Sequence, residues 1–261
     1  VSSGTVSETI TGNVKELSIS NSGIQYENMW VKNTNQNHDI DIGAELAKEP
    51  AVKMKKDGTI QILIYHTHTT EAFAGSSRTQ DNSQNVVAVG EEIKKQLEAA
   101  GFGVVHDTTC HDYPSYNGAY DRSGETIQRN LEKYPDIQVT LDVHRDAMGT
   151  QDGIRLKPTA MIQGKKAAQI MIISGCDDDG TLGFPDWEYN LRLGVRVQKS
   201  LSDLYPGLAR PLSFCPRKYN EHMTKGSLLV EFGTEVNTLE EVKYSGQLFG
   251  KALAETLNQL T

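Results

Sequence analysis

The sequence predicts an α/β fold, a twisted and mainly parallel sheet flanked by helices on both faces. Three observations carry that expectation. From residue 58 onward, short apolar runs alternate with amphipathic helical stretches. The first run, Ile62-Leu-Ile-Tyr65, is apolar throughout, as a strand covered on both faces must be. Hydrophobic residues at 37 % and charged residues at 23 % of 261 positions leave enough apolar mass for one sizeable core.

Residues 1–57 differ in character from the rest of the chain, being rich in Ser, Thr, Asn and Gly. Leu17-Ser-Ile-Ser20 and Gln25-Tyr-Glu-Asn-Met-Trp-Val31 alternate as a strand or two would, and a short helix around Ala44–Lys48 would end at Pro50. This segment is expected to be a small extension packing beside a core domain of residues 58–261. A Lys-Lys-Asp-Gly turn at 55–58 launches the first core strand. Asn85–Ala100 sets Val86, Val89, Ile93 and Leu97 on one helical face, with Gly101 as terminator. Phe102–His106 reads as a second strand, Ser123–Lys133 as a helix ended by Tyr134-Pro135, and Ile137–Val143 as a third strand. Thr159–Gln163 and Gln169–Ser174 are expected to form a hairpin around Gly164-Lys-Lys. An acidic loop, Asp177–Pro185, precedes a helix over Trp187–Leu204, a buried strand over Leu228–Phe232 and a closing helix over Leu239–Leu257.

A net charge of −8 with no Lys/Arg run argues against a nucleic-acid or anionic-membrane surface. No apolar segment approaches the roughly 18–20 residues that a membrane span needs. The opening Val-Ser-Ser-Gly-Thr-Val-Ser-Glu-Thr, without a Met, is expected to be the interior of a longer chain, so that a signal or anchor segment could precede it. Cys110, Cys176 and Cys215 are far apart in sequence and odd in number, and are expected to be buried free thiols.

The chemistry concentrates at strand ends, where ligands bind in open α/β sheets. His66, His68 and Glu71 follow the first strand, His144-Arg145-Asp146 follows the third, and Glu231 lies on the last. Imidazole nitrogens and a carboxylate oxygen suit zinc (Zn2+), and His68-x-x-Glu71 lets one short turn offer two of them. The expected metal ligands are His68, Glu71 and His144. Glu231, the carboxylate of an otherwise apolar strand, is the expected general acid/base, because burying it idle would be costly. Each residue also has a plainer reading. His66 could be a hydrogen-bonded structural histidine, Glu231 could pair with an arginine, and Arg145 could neutralise Asp142 or Asp146 instead of binding a substrate carboxylate. The regular HExxH zinc signature is absent. The loop His111–Ser123 offers Tyr116, Tyr120 and Arg122 as substrate-binding candidates, and His222 could line the same cleft.

Four stretches, Ile-Tyr-His-Thr-His-Thr-Thr-Glu-Ala-Phe (64–73), Asn85-Val-Val-Ala-Val-Gly90, Leu-Asp-Val-His-Arg-Asp-Ala (141–147) and Leu-Val-Glu-Phe-Gly-Thr-Glu-Val-Asn (229–237), closely resemble the stage II sporulation protein P family over roughly residues 58–258. The layout is more distantly similar to zinc-dependent N-acetylmuramoyl-L-alanine amidases and, in part, to the zinc carboxypeptidases. The resemblance implies a zinc-dependent peptidoglycan hydrolase acting in engulfment during sporulation. It would cut the amide between N-acetylmuramic acid and L-alanine, with an additional endopeptidase activity on stem peptides. It also implies an N-terminal anchor in the mother-cell membrane, an extracytoplasmic location, and work alongside stage II sporulation proteins D and M. The amidase pattern points to His68 over His66 as ligand, and sets Asp81, four residues before Asn85, in competition with Glu71 for the third ligand place.

Overall fold

The computed structural model describes residues 3–261. In chain order the elements are β1 (Gly4–Thr5), β2 (Thr9–Thr11), β3 (Val14–Leu17), β4 (Ile24–Tyr26), β5 (Met29–Asn33), α1 (Ile42–Ala47), β6 (Ile60–Tyr65), α2 (Val86–Ala99) and β7 (Gly103–His106). They continue with α3 (Ala119–Lys133), β8 (Val139–Asp146), β9 (Arg155–Ile162), β10 (Lys165–Ala168), β11 (Ile170–Gly175), α4 (Trp187–Leu204), β12 (Leu212–Cys215), a short 3-10 turn (Glu221–Met223), β13 (Ser227–Thr234) and α5 (Leu239–Asn258).

The fold is α/β. Its main sheet has eight strands in the order β4-β5-β12-β11-β13-β8-β6-β7. Pairing is parallel except where β11 meets β13 and β4 meets β5. Strand alternation divides the side chains between two faces. On one face Ile62, Ile64, Leu141, Val143, Val230 and Phe232 join the principal core with residues of α2, α4 and α5. On the other, Leu63 and Tyr65 pack with Ile127 of α3 and with Ile137. A fully buried aliphatic side chain is worth about 1.5–3 kcal/mol, so the larger face dominates the stability.

Local signals explain the helix starts. The Asn85 side chain accepts from the Val87 N–H at 2.9 Å and opens α2. Thr238 and Glu241 form a reciprocal capping box at α5. Helix α3 begins four residues before the expected Ser123, just after Gly118 at φ +77°. Its first turn is held because Ala119 is buried on the same face as Ser123, Thr126, Ile127 and Asn130.

Two expectations are corrected. The hairpin joins β9 to β10, pairing Ile162 with Lys165, while Ile170–Gly175 leaves it to run between β12 and β13 in the main sheet. The reason is burial: Ile170 and Ile172 are fully buried, and an eight-stranded core offers them more cover than a hairpin. The N-terminal segment, described from residue 3 to 57 with residues 1 and 2 outside the described residues, does not only lie beside the core but contributes a strand to it. Strand β5 pairs in parallel with β12, placing Val31 opposite Leu212, and both Met29 and Val31 are fully buried. Strands β1 and β3 flank β9 in a second, smaller sheet.

Candidate active site

The main sheet brings its chemistry to one end. Strands β6 and β8 run side by side with Tyr65 opposite Asp142, and β8 runs beside β13 with His144 opposite Glu231. Asp142, His144 and Glu231 therefore share a face, because partners in register point the same way. The expectation of His144 following the strand is refined: β8 continues through Asp146, so His144 is a strand residue with a fixed neighbour.

The turn after β6 is tied down by two buried carboxylates. Asp142 accepts from the Thr67 N–H at 2.9 Å and the Thr67 hydroxyl at 2.6 Å. Asp112 accepts from the Thr70 N–H at 3.0 Å, the Thr70 hydroxyl at 2.8 Å and the Arg78 guanidinium at 2.7 Å. Between these anchors the Glu71 N–H donates to the His68 carbonyl, so one turn presents both side chains. Sequence reasoning misses both Asp112 and Arg78, since nothing local distinguishes them from surface polar residues.

Glu71 Oε2 lies 3.4 Å from His144 Nδ1 and accepts from the Arg145 N–H at 3.1 Å. Asp142 Oδ1 is 2.9 Å from His144 Nε2, yet off the line of an N–H, so that nitrogen has no hydrogen-bond partner. These placements set the charges. Burial opposes a charge on His144, but the carboxylates of Asp142 and Glu71 outweigh it and hold the imidazole well above its ordinary range. Burial likewise opposes charge on Glu71 and Asp142, and His144 outweighs it in both, keeping them below the usual carboxylate range. His68 is lowered by burial and then by His144. Its ring stacks on Tyr116 at 4.4 Å, meets Tyr120 edge-on at 5.5 Å and lies 5.3 Å from the His144 ring.

Among the described residues, two buried polar atoms here lack any partner, His68 Nδ1 and Glu231 Oε2, while His144 Nε2 has only the Asp142 carboxylate beside it at 2.9 Å. Orphans of this kind are rare, and converging ones call for a ligand or a task. Two of the three expected donors are spaced as zinc requires. Donors about 2.0–2.1 Å from a tetrahedral zinc stand about 3.3 Å apart, and Glu71 Oε2 and His144 Nδ1 stand at 3.4 Å. A carboxylate on the remaining nitrogen of a ligating histidine is the usual outer support, and Asp142 is so placed. His68 is the outlying member. Among the described residues, the three-donor group whose ligand atoms all lie within 4.8 Å of one another is a different one, His38, Cys176 and Asp178.

The other candidates separate clearly. His66 is fully buried beneath the site: its Nδ1 pairs with the Val143 carbonyl at 2.9 Å and its Nε2 with His106 Nε2 at 2.8 Å. Burial, with His106 adding to it, pushes His66 down to about 3. Asp81 is exposed and caps Ser83, at 2.9 Å to its N–H and 2.7 Å to its hydroxyl, whereas Glu71 is buried at the site. Arg145 bonds no carboxylate through its side chain: it donates to the carbonyls of Ala72 at 3.0 Å and Ser77 at 2.8 Å. The side chain paired with Asp146 is that of Arg210, at 2.8 Å. Arg122 donates to the carbonyls of His111 and Ser115, both at 2.6 Å, and so braces its own loop. Tyr116 and Tyr120 reach the site. His222 lies ahead of β13, 6.4 Å from Phe184. Glu231 pairs with no arginine; burial pushes its carboxyl up to about 8, with His144 pulling the other way.

Sequence comparison adds a family. The model of stage II sporulation protein P matches residues 5–254. Stage II sporulation protein P of Bacillus subtilis (strain 168) is 26 % identical over 228 residues, covering 80 % of this chain and 53 % of that protein. The chain thus spans about half the length of the relative it matches. Among solved structures, the CwlD amidase of Clostridioides difficile, in complex with the GerS lipoprotein, aligns with a TM-score of 0.46 at 10 % identity, covering 77 % of this chain and 98 % of that one. The N-acetylmuramoyl-L-alanine amidase AmiC2 of Nostoc punctiforme aligns with a TM-score of 0.44 at 10 % identity, covering 77 % and 94 %.

Proposed function

The chain belongs to the stage II sporulation protein P family, and from that premise we propose that it is a peptidoglycan hydrolase of sporulation, cutting the amide between N-acetylmuramic acid and L-alanine. An additional endopeptidase activity on stem peptides belongs to the same reading, as does action during engulfment from an extracytoplasmic position, anchored through a preceding segment. Stage II sporulation proteins D and M are the partners that the family resemblance implies.

The observation that carries the reading is Glu231. Its carboxyl is buried directly across the ladder from His144, has an oxygen with no partner, and holds its proton up to about 8. A proton affinity near neutrality lets one group take a proton from water and return it to a leaving amine. His68, Glu71 and His144 would hold zinc, which supplies an acidified water and polarises the scissile carbonyl. Asp142 orients His144, and Tyr116 and Tyr120 frame the approach to His68. A carboxypeptidase would need a free arginine for a terminal carboxylate. Arg145 and Arg122 are both committed to backbone carbonyls, which favours the amidase reading.

The test is mass spectrometry of fragments released from purified peptidoglycan, with and without a chelator. Stem peptides beginning at L-alanine and peptide-free glycan are expected, and chelation should stop their release. Glu231→Gln should lower turnover by about 10²–10⁴-fold while bound zinc is unchanged. Release of terminal D-alanine alone, or full activity of the Gln variant, would overturn the proposal.

A further inference from the structure

We propose that the chain carries a second, structural metal site, in which His38, Cys176 and Asp178 hold one divalent cation of the zinc class and fasten the N-terminal segment to the core. The ligand atoms of these three residues all lie within 4.8 Å of one another. Thiolate, imidazole and carboxylate together suit zinc and disfavour calcium or magnesium, which take oxygen ligands.

The site is distinct from the first. Met171 of β11 lies opposite Glu231, and Cys176 is five residues further along the chain from it. At a rise of roughly 3.3 Å per residue that is about 17 Å, toward the opposite end of the sheet.

Each donor is positioned by contacts that owe nothing to a metal. Asp178 accepts from the Gln36 and Asn37 N–H groups, both at 2.9 Å, which draws the chain leaving β5 onto the acidic loop. The His38 carbonyl accepts from Asn33 Nδ2 at 2.7 Å, and its ring packs 4.8 Å from Trp187. Asp177 closes the loop on itself by accepting from the Leu182 and Phe184 N–H groups, both at 2.9 Å. Cys176 donates its N–H to the Arg217 carbonyl at 3.0 Å. A cleft of about 880 Å³, lined in part by His38, Asp178 and Trp187, opens beside the cluster and gives a cation a way in.

Cys176 has no competing use. It belongs to the principal core, as do Leu212 and Phe214 of β12. Strand alternation then sends Cys215 to the other face, away from a disulfide with it. A thiol must lose its proton to become a ligand, so cation binding releases that proton to solvent as the sulfur–metal bond forms, and occupancy should fall in acid.

Cobalt substitution separates the two sites, because a thiolate on Co2+ gives a near-ultraviolet charge-transfer band that a His/Glu/His site cannot. The whole chain, stripped with chelator and reloaded, should bind two equivalents of metal and show the band. Cys176→Ser and His38→Ala should each remove the band and one equivalent while leaving peptidoglycan hydrolysis in place. Cys110→Ser and Cys215→Ser should change neither. A single equivalent with no band, or a band that survives Cys176→Ser, would overturn the assignment. Should Cys176→Ser fail to fold, His38→Ala, altered at a half-buried side chain, decides the matter on the same readouts.

Discussion

Asp142→Asn tests whether the buried carboxylate serves His144 or merely the fold. Asp142 is 2 % exposed, so both oxygens must be accounted for. The asparagine keeps an acceptor for the Thr67 N–H now at 2.9 Å. Its amide can turn to the Thr67 hydroxyl, which then gives its own proton to Ser123 Oγ at 2.7 Å. The geometry survives, and the loss of charge-assisted bonding should cost about 1–3 kcal/mol of stability. What is lost outright is the negative charge 2.9 Å from His144 Nε2, which helps to hold that imidazole above its ordinary range. Removing such an outer support lowers metal affinity by about 10–100-fold, which is about 1.4–2.8 kcal/mol. A competition titration against a chromophoric chelator reads the affinity, and hydrolysis at saturating zinc reads what remains. Asp112→Asn is the control, because it loosens the same turn from its other side through Thr70 and Arg78 and leaves the carboxylate beside His144 in place. Wild-type zinc affinity in a folded Asp142→Asn protein, or an equal loss in the control, would refute the reasoning. The stability difference should also vanish in acid. The folded pKa of Asp142 is depressed, so its contribution is present above the ordinary aspartate range and is lost as pH falls through the folded value.

Glu221 should behave in the opposite sense: it is buried, one oxygen accepts from the Gly175 N–H at 2.6 Å, the other has no partner, and burial raises its carboxyl well above the usual range. The wild-type protein should therefore lose stability as pH rises from the ordinary glutamate range toward the folded pKa, at up to about 1.4 kcal/mol per pH unit for one proton, and denaturant melts of Glu221→Gln should show that slope removed. Gly233 sits at φ +59°, where an added Cβ would stand 2.5 Å from Asn237 Oδ1, so Gly233→Ala should cost about 1–3 kcal/mol; an unchanged thermal midpoint would contradict it. Thr238→Ala removes the 3.2 Å cap on the Glu241 N–H and should cost about 1 kcal/mol, or about 2–4 °C in a chain of this size.

What could be read from the sequence was what local physics dictates. The Ile62–Tyr65 run has to be a doubly covered strand, and it is. Asn85, Gly101 and the Thr238/Glu241 pair mark helix ends through bonds made within a few residues. What could not be read depends on partners far along the chain. Strand β12 is only four residues long, and its place in the sheet is set by β11 on one side and, on the other, by β5, some 180 residues earlier by number. The Ile170–Gly175 strand was visible, but not its partner, since a hairpin with β9 and an antiparallel place beside β13 require the same apolar residues.

The site divides along the same line. His68, Glu71, His144 and Glu231 stood out because each is a costly group on or just beyond an apolar strand. Asp142 was equally costly, in Leu141-Asp-Val-His144, and two residues before His144 it had to share that residue's face. Strand parity alone could have found it. No local rule could have found the orientation of Arg145, because its bonds go to the carbonyls of Ala72 and Ser77, which take their positions only after the turn beyond β6 has closed. The convergence itself comes from strand direction. Strands β6, β8 and β13 run parallel and deliver their exits to one end. Antiparallel β11 begins at that end, beside Glu231, and finishes at the other, where it delivers Cys176 to His38 and Asp178. The three strands β11, β12 and β5, which run against β13, thus carry the proposed second site to the end of the sheet opposite the first.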